Sequence, residues 1–561
     1  MAIFTISDFY TPTIVTLLAG IIYQYVLYPS IISPLSKIPS AHWSCSISPI
    51  WILWARFKSR ENRTLHAAHK QHGPVVRIGP TELSVNSIEG IKTIYQGGFD
   101  KHQWYSVFNN YGVPCTFASL TSKSHSLRKR MVSHVYSKSF IHTSPALRSQ
   151  ALTILSTRLL PVLNFSTHAS QTPNGIDVHS LFCASAMDFI SAYCFGLSRS
   201  ADFIRRRSYR EHWLTLYMVR KGYGFFAQEM PWISRTLSFL GINLTPSWVN
   251  DANRELEAWC KERSDATIEL LDREKGEAGK ESVDSVVNTA DDPVVVRALL
   301  AGIEKEYATN GAESLLYSTT IQQRELSVAS EIIDHVLAGQ ETTGVALTYL
   351  SYHLSQSLDL QRKLRRELLT LKPSMRYVDG DNGGEKSDRI EMPDSRQLDG
   401  LPILHAMITE TVRRYVPAGG PEPRVTPSSS SCYIGSYEVP RGVRVSASPY
   451  NLHRDETVFP DSEKWDHTRW LRHQGTAEID DSNGVEGKSE LNRHFWGFSS
   501  GGRMCLGSNF AMHDMKLIIA AIYSNYISHI VDDEGIEPTD AYTGHPKSNS
   551  LYLRFEKVVE R

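Results

Sequence analysis

Residues 495–512 read Phe495-Trp-Gly-Phe-Ser-Ser-Gly-Gly-Arg-Met-Cys-Leu-Gly-Ser-Asn-Phe-Ala-Met512, a lone cysteine in a glycine-rich loop that leads into helical apolar spacing from Ser508 to Tyr526. Gly497, Gly501, Gly502 and Gly507 allow a tight backbone that can lie against a flat ligand. Cys505 is thereby placed at a helix N-terminus with Arg503 two residues away. Both features lower a thiol pKa and favour the thiolate, the form that ligates a metal or attacks an electrophile. The plain alternative is a buried cysteine in a glycine turn; another is a Cys/His nucleophile, with His494 and His513 nearby but nothing to orient them.

The rest of the composition narrows the class. At 561 residues the chain is long enough for several domains of about 150 residues each, yet no Pro/Ser-rich linker divides its middle, so one large catalytic domain fits. Lys+Arg 59 against Asp+Glu 60 leaves a net charge of −1, which excludes the strong basic excess of a dedicated nucleic-acid binder. The seven cysteines are scattered, odd in number and without CxxC spacing, a pattern of reduced thiols in a cytosol-facing domain.

Read as Phe498-x-x-Gly501-x-Arg503-x-Cys505-x-Gly507, the loop resembles the haem-ligand signature of the cytochrome P450 family. The resemblance implies heme b with Cys505 as the axial thiolate to iron, and Phe498 and Arg503 beside the cofactor. Other stretches match the family in the same order along the chain. His125-Ser-Leu-Arg128-Lys129-Arg130 looks like its C-helix, whose basic residues face a haem propionate and the electron donor. The usual tryptophan is here His125 and the usual arginine is Lys129, so His125, Arg128 and Lys129 all stand as candidates for the propionate contact.

A helical pattern from Leu326 to Leu358 spans about nine turns. In its middle, Ala338-Gly339-Gln340-Glu341-Thr342-Thr343 combines poor helix formers with hydroxyls that can bond the preceding turn and open a groove. This resembles the family's distal motif, which implies that Glu341 and Thr342 deliver protons for O–O cleavage. Glu410-Thr-Val-Arg413 puts opposite charges three residues apart on one helix face, a weak signal when alone. It precedes Phe459 to Trp470, which resembles the family's meander, with His467 where proline is usual. The resemblance implies a buried network of Glu410, Arg413 and Arg469 that fixes the thiolate loop. Between them, the proline-rich run Tyr415 to Pro427 must be extended; by resemblance Arg424 meets a propionate and Val416 to Gly420 line the substrate pocket. Tyr105, Phe108, Tyr111 and Phe117 are further pocket candidates.

The ends and connections complete the expectation. Phe9 to Ser36 lacks any charge and Thr13 to Ile32 is almost continuously apolar, long enough for a transmembrane helix. Lys37, Arg56, Lys58, Arg60 and Arg63 follow it, which places the catalytic part in the cytosol. Pro34, Pro39 and Pro49 suggest a semi-rigid connector, and Trp43, Trp51 and Trp54 suit either the membrane interface or core packing. Pro74 to Val85 reads as a short strand pair, and Cys432 to Ser446 as a hairpin around Pro440-Arg-Gly442. Polar segments 275–291, 374–394 and 473–490 read as surface loops.

The expected fold is mainly α with a small β-subdomain: residues 1–36 as an N-terminal transmembrane anchor and 37–561 as a haem-thiolate monooxygenase domain. The resemblance implies an endoplasmic-reticulum membrane enzyme served by NADPH-cytochrome P450 reductase. It would insert one oxygen atom into an apolar small-molecule substrate as a tailoring step of fungal secondary metabolism. A P450-fold isomerase or dehydratase without reductase, or a non-catalytic haem-binding protein, are the alternatives.

Overall fold

Side-chain caps set where the main helices begin. Thr121 accepts from the Ser124 N–H at the head of Ser122–Val132, and Asp177 accepts from the His179 and Ser180 N–H groups at the head of Val178–Phe195. Pro402 sits in the first turn of Pro402–Arg414, where its missing N–H costs nothing. The computed structural model describes residues 6–167, 173–277, 288–377, 390–471 and 490–558, so the polar segments expected as surface loops lie largely outside the described residues.

The helices that position the site are, in chain order, α1 (Ile6–Ile22), α2 (Ile50–Phe57), α3 (Ser122–Val132), α4 (Val178–Phe195) and α5 (Arg207–Gly222). They continue with α6 (Phe225–Glu229), α7 (Ser247–Glu277), α8 (Arg324–Ser355), α9 (Pro402–Arg414) and α10 (Ser508–Asn525). The 32 residues of α8 are the long helix expected from the sequence. It stops at Ser355 because Ser357 caps a separate helix, Leu358–Leu368, by accepting from the Leu360 N–H.

The core is built where α8 crosses α4. A Cβ on Gly344 would lie 2.6 Å from Cys183 Sγ, and one on Gly339 would lie 3.2 Å from Ile190, so the glycines of α8 serve close helix approach. All residues of α4 are buried. That helix is apolar enough to cross a membrane, and its burial assigns it to the core instead. Thr13–Ile32 is the opposite case, more apolar at a mean hydropathy of 1.6 against 1.3 and with none of its span buried.

Strands β1 (Val75–Gly79), β2 (Glu82–Val85) and β3 (Asp100–Lys101) join β5 (Arg424–Val425) and β8 (Arg444–Ser446) in a five-stranded sheet of order β1-β2-β8-β5-β3; β4 is Ile176–Asp177. The pair at Pro74 to Val85 is as expected. The hairpin at 432–446 is not: β6 (Cys432–Ile434) pairs with β7 (Tyr437–Val439) around Gly435, whose φ of 57° makes the turn, while β8 leaves to pair in parallel with β2. Pro440 and Gly442 form the exit from that hairpin. A third sheet has β10 (Tyr552–Lys557) between β4 and β9 (Tyr526–Asp532).

The proline segment after the apolar span is docked, not a free connector. Leu35 and Ile38 are each 2 % exposed among sheet residues such as Val75 and Val445. Buried Arg77 of β1 donates to the Pro29 carbonyl at 2.8 Å, and its own N–H donates to the Pro39 carbonyl. Trp43 and Trp54 are exposed, which settles their alternative against core packing; Trp51 is half-buried and stacks on His42.

Candidate active site

The cysteine loop is pinned from three sides. Cys505 donates its N–H to the Phe498 carbonyl at 2.9 Å, and the loop turns at Gly501, where φ is 72° and a Cβ would collide with the Tyr95 carbonyl. Arg503 donates to the Ser119 and Leu120 carbonyls at 2.9 and 2.7 Å. From α3, Lys129 Nζ donates to the Gly502 and Met504 carbonyls, both at 3.0 Å. The helix itself starts at Ser508, three residues past Cys505.

This geometry corrects the expected electrostatics. Burial pushes the Cys505 thiol up, and the Gly507 N–H and Lys129 only partly oppose it. Arg503 is turned toward the Ser119 and Leu120 carbonyls and toward Asp100. The thiolate therefore depends on a metal to stabilise it, not on a preset low pKa. Cys505 keeps accessible surface.

The Glu410-x-x-Arg413 pair is fully buried on α9. Arg413 Nε and Nη2 donate to the two Glu410 oxygens at 2.8 Å each, and Nη1 donates to the His453 and Ser462 carbonyls. Glu410 also accepts from the Asp466 N–H at 2.9 Å and Trp470 Nε1 at 3.0 Å, with Arg469 Nε at 3.4 Å. His453, which sequence reasoning missed, joins this network to the cysteine loop. Its Nε2 accepts from the Trp496 N–H at 2.8 Å, so its Nδ1–H donates to the Arg413 carbonyl at 2.9 Å. Burial and Arg413 hold this imidazole far below the usual histidine range, hence neutral.

Above the loop lies a cluster of cations. Antiparallel register places Lys101 of β3 directly opposite Arg424 of β5. Lys101 was also missed: it is buried, its ammonium 4.2 Å from the ring centres of both Tyr105 and Phe117, and it donates to the Phe117 carbonyl. Burial together with Arg424 and Arg503 holds Lys101 well below its ordinary pKa. The same effects bring Arg503 down to about 10, and burial with Arg503, Lys101 and Lys129 brings His125 down to about 3. Glu422 is a nearby counter-charge, accepting from Arg424 Nη2 at 3.2 Å and Ser499 Oγ at 2.9 Å. Among the described residues, Arg503 Nε is buried without a hydrogen-bond partner. Lys101, Arg503 and His125 are held down by burial and their cationic neighbours while Tyr105 and Glu422 hold Arg424 up, and this basic cluster, with an orphaned donor on Arg503, fits a planar ligand bearing two carboxylates.

The three C-helix candidates separate clearly. His125 faces the cation cluster and Lys129 holds the cysteine loop. Arg128 points elsewhere, donating to Thr320 Oγ1 at 2.6 Å and Thr319 Oγ1 at 2.8 Å.

On the facing helix, α8, Ala338 is exposed and Asp334 and Thr342 are half-buried, while Ile332, Ile333 and Val336 on the far side are fully buried. Thr342 Oγ1 donates to the Ala338 carbonyl at 2.8 Å, as the sequence suggested, and the helix continues unbroken. Glu341 does not meet Thr342. Its carboxylate turns to α5, ion-paired with Lys221 and accepting from Tyr217 OH at 2.6 Å. Burial would raise this carboxyl, and Lys221 and Tyr217 outweigh it, holding the pKa below the usual range.

Among the pocket candidates, Tyr105, Phe108 and Phe117 cluster by their rings, and Tyr105 OH accepts from Arg424 at 3.1 Å. Tyr111 is directed away, donating to the Glu257 carbonyl of α7. Of the Val416–Gly420 stretch, Val416 is buried and Gly420 donates to the Tyr542 carbonyl at 3.1 Å.

A family model described as Cytochrome P450 matches residues 46–552, nearly the whole chain. The chain is a cytochrome P450. This P450 is 25% identical over 507 residues to Cytochrome P450 monooxygenase hkm5 of Aspergillus hancockii, covering 88% of this chain and 86% of the relative. It is 25% identical to N-acetyltryptophan 6-hydroxylase ivoC of Emericella nidulans, covering 90% and 88%. It is also 25% identical to Tryprostatin B 6-hydroxylase of Aspergillus fumigatus, covering 94% and 82%. The family implies haem with cysteine-thiolate ligation, a redox partner and a small-molecule substrate, and the P450 is a monooxygenase.

Proposed function

We propose that this P450 inserts one oxygen atom from O2 into an apolar small molecule, as a tailoring step of fungal secondary metabolism, using electrons from NADPH through a reductase. The observation that carries the reading is Cys505, a cysteine with accessible surface on a loop held by Arg503 and Lys129, with the basic groups Lys101, His125, Arg424 and Arg503 beside that loop. When bound, haem with a thiolate ligand supplies reductive activation of dioxygen.

The chain's own residues divide the remaining tasks. Cys505 would supply the sulfur that ligates the haem iron. Lys101, His125, Arg424 and Arg503 hold the haem carboxylates, and Lys129 anchors the loop through Gly502 and Met504. Glu410, Arg413 and Arg469, relayed by His453, keep the loop rigid. Thr342, whose hydroxyl is held by the Ala338 carbonyl, positions a proton for the reaction. Glu341 serves as its acid reservoir once it leaves Lys221 and Tyr217. Exposed Lys123 and Arg130 on α3 offer a basic surface to an acidic reductase face.

Thr13–Ile32 anchors the protein in the endoplasmic-reticulum membrane with exposed Trp43 and Trp54 at its surface, and the anchor ends near Ser33, since Leu35 belongs to the sheet core. The names of two relatives, N-acetyltryptophan 6-hydroxylase and Tryprostatin B 6-hydroxylase, support a hydroxylation. The test is NADPH consumption by the purified protein with reductase and oxygen. Substrate-dependent consumption with a hydroxylated product is expected; a product isomeric with substrate, formed without reductase, would overturn the reading.

A further inference from the structure

Tyr136, just past the end of α3, heads a chain of polar side chains that the proposed function does not use. Its OH lies 2.9 Å from Nδ1 of His335 on α8, and Nε2 of the same imidazole lies 3.4 Å from Glu331, one turn earlier on that helix. Burial would raise the Glu331 carboxyl, but His335, the Thr116 N–H and Arg128 outweigh it and hold the pKa below the usual range, so the group is a carboxylate. A carboxylate has no proton to give. Nε2–H of His335 therefore points at Glu331, Nδ1 is left as the acceptor, and the Tyr136 OH donates to it. Tyr136 and Glu331 are each 4 % exposed, and burial pushes the Tyr136 phenol far up, so it does not lose its proton unaided.

A buried phenol with one hydrogen-bond partner is ordinary. What distinguishes this one is the series of phenol, imidazole and carboxylate. Among the described residues Tyr415 is the other phenol bonded to an imidazole, that of His353 at 3.0 Å, and no acid stands behind that ring. Tyr136 is also fastened to the helix that leaves the cysteine loop. Asn509 of α10, four residues past Cys505, donates to the Tyr136 carbonyl at 3.1 Å, and the ring of Phe510 stands edge-on to the phenol with centres 6.1 Å apart.

We propose that Tyr136 is a redox-active tyrosine, which gives up one electron while its phenol proton passes to His335. This rests on the haem-thiolate reading and adds a second reactive site to it. The O–H bond of Tyr136 breaks, the proton forms a bond to His335 Nδ1, and the imidazolium so made is stabilised by Glu331. A neutral phenoxyl radical remains. An oxidised phenol is a strong acid, so a base within about 2.6–3.2 Å lets the proton leave with the electron. The oxidant is a hydroperoxide, which takes two electrons and two solvent protons to become an alcohol and water; Tyr136 gives one electron and the bound haem the other. When no substrate is present, Tyr136 is thus an outlet for oxidising equivalents.

The test is rapid-freeze electron paramagnetic resonance of the haem-loaded full chain mixed with cumene hydroperoxide, with no substrate added. The native protein should give a tyrosyl signal. Prepared in D2O, that signal should carry a deuterium coupling from the N–D that His335 Nδ1 then donates to the phenoxyl oxygen. Tyr136→Phe should lose the signal, and His335→Gln should lose it too, because Tyr136 is present but has no base to take its proton. A tyrosyl signal that survives Tyr136→Phe, or one unchanged in His335→Gln, would overturn the proposal. So would a native signal without the deuterium coupling, a result that needs no variant to fold. The Soret band of the reduced carbon monoxide complex, recorded on each preparation, reports the haem-thiolate site separately. A native protein with the band and without a tyrosyl signal overturns this proposal alone, whereas absence of the band overturns the proposed function and this proposal together.

Discussion

Arg413→Ala removes five hydrogen bonds at once, two to Glu410 and one each to the carbonyls of His453, Ser462 and Lys464. Both Glu410 and Arg413 have side chains with no exposed surface, so the lost guanidinium leaves a buried carboxylate without its bidentate partner. Breaking a buried pair in this way costs about 3–5 kcal/mol. The Asp466 N–H and Trp470 Nε1 still donate to Glu410, and Arg469 stands at 3.4 Å, which places the expected loss at the lower end, about 3 kcal/mol. That is more than a hundredfold in the folded-to-unfolded ratio. The assay is urea unfolding followed by tryptophan fluorescence, with haem bound per protein measured on the same preparations. Arg414→Ala is the control: its partner Glu463 is 60 % exposed, and a pair of that kind is worth roughly 0–1 kcal/mol. An Arg413→Ala protein with full haem content and stability within that control range would refute the view that the pair braces the cysteine loop.

Thr342→Ala should leave the substrate-induced spectral change intact while more of the NADPH consumed appears as hydrogen peroxide. Positioned proton delivery is worth about 10²–10⁴ in rate, and full coupling in the variant would remove Thr342 from the relay. Deleting residues 1–26 should release the protein from membranes with its haem retained, whereas deletion through Ser36 should also destabilise it, because Leu35 is 2 % exposed in the sheet core; equal stability of the two truncations would contradict this. Glu229 of α6 is joined to Arg56 and Arg444 at 2.9 and 2.8 Å, and these outweigh its burial to bring it down to about 2. Its folded pKa is depressed, so its contribution is full above the ordinary glutamate value of about 4.3 and is lost as pH falls from there toward 2. Glu229→Gln should flatten the fall of melting temperature in that window, and an unchanged acid limb would argue against it.

What the sequence revealed and what it hid differ by range. The cysteine loop, the Glu410-x-x-Arg413 turn and the 32-residue α8 are set by residues close in the chain, and each stands where its local pattern placed it. Lys101 was hidden because its role depends on a strand register that pairs it with Arg424 from a distant part of the chain. The partners of Glu341, Lys221 and Tyr217, come from α5, and only helix packing brings them in. His453 gives no local signal; its two ring contacts lie on separate elements. The Cys505 pKa was misjudged because helix and arginine proximity can be read from spacing, while the burial that outweighs them cannot. The misplaced hairpin had the same origin: Pro440-Arg-Gly442 looks like a turn, but β8 finds its partner in β2.

The identity of the axial ligand is tested most directly by the absorption spectrum of the reduced carbon monoxide complex, recorded for the native protein and for Cys505→Ser. The native protein should show the long-wavelength Soret band that thiolate ligation gives, and Cys505→Ser should lose it, because serine or water is a weaker donor to iron. A Cys505→Ser protein that keeps the band would place the ligand elsewhere and contradict the site built around this loop.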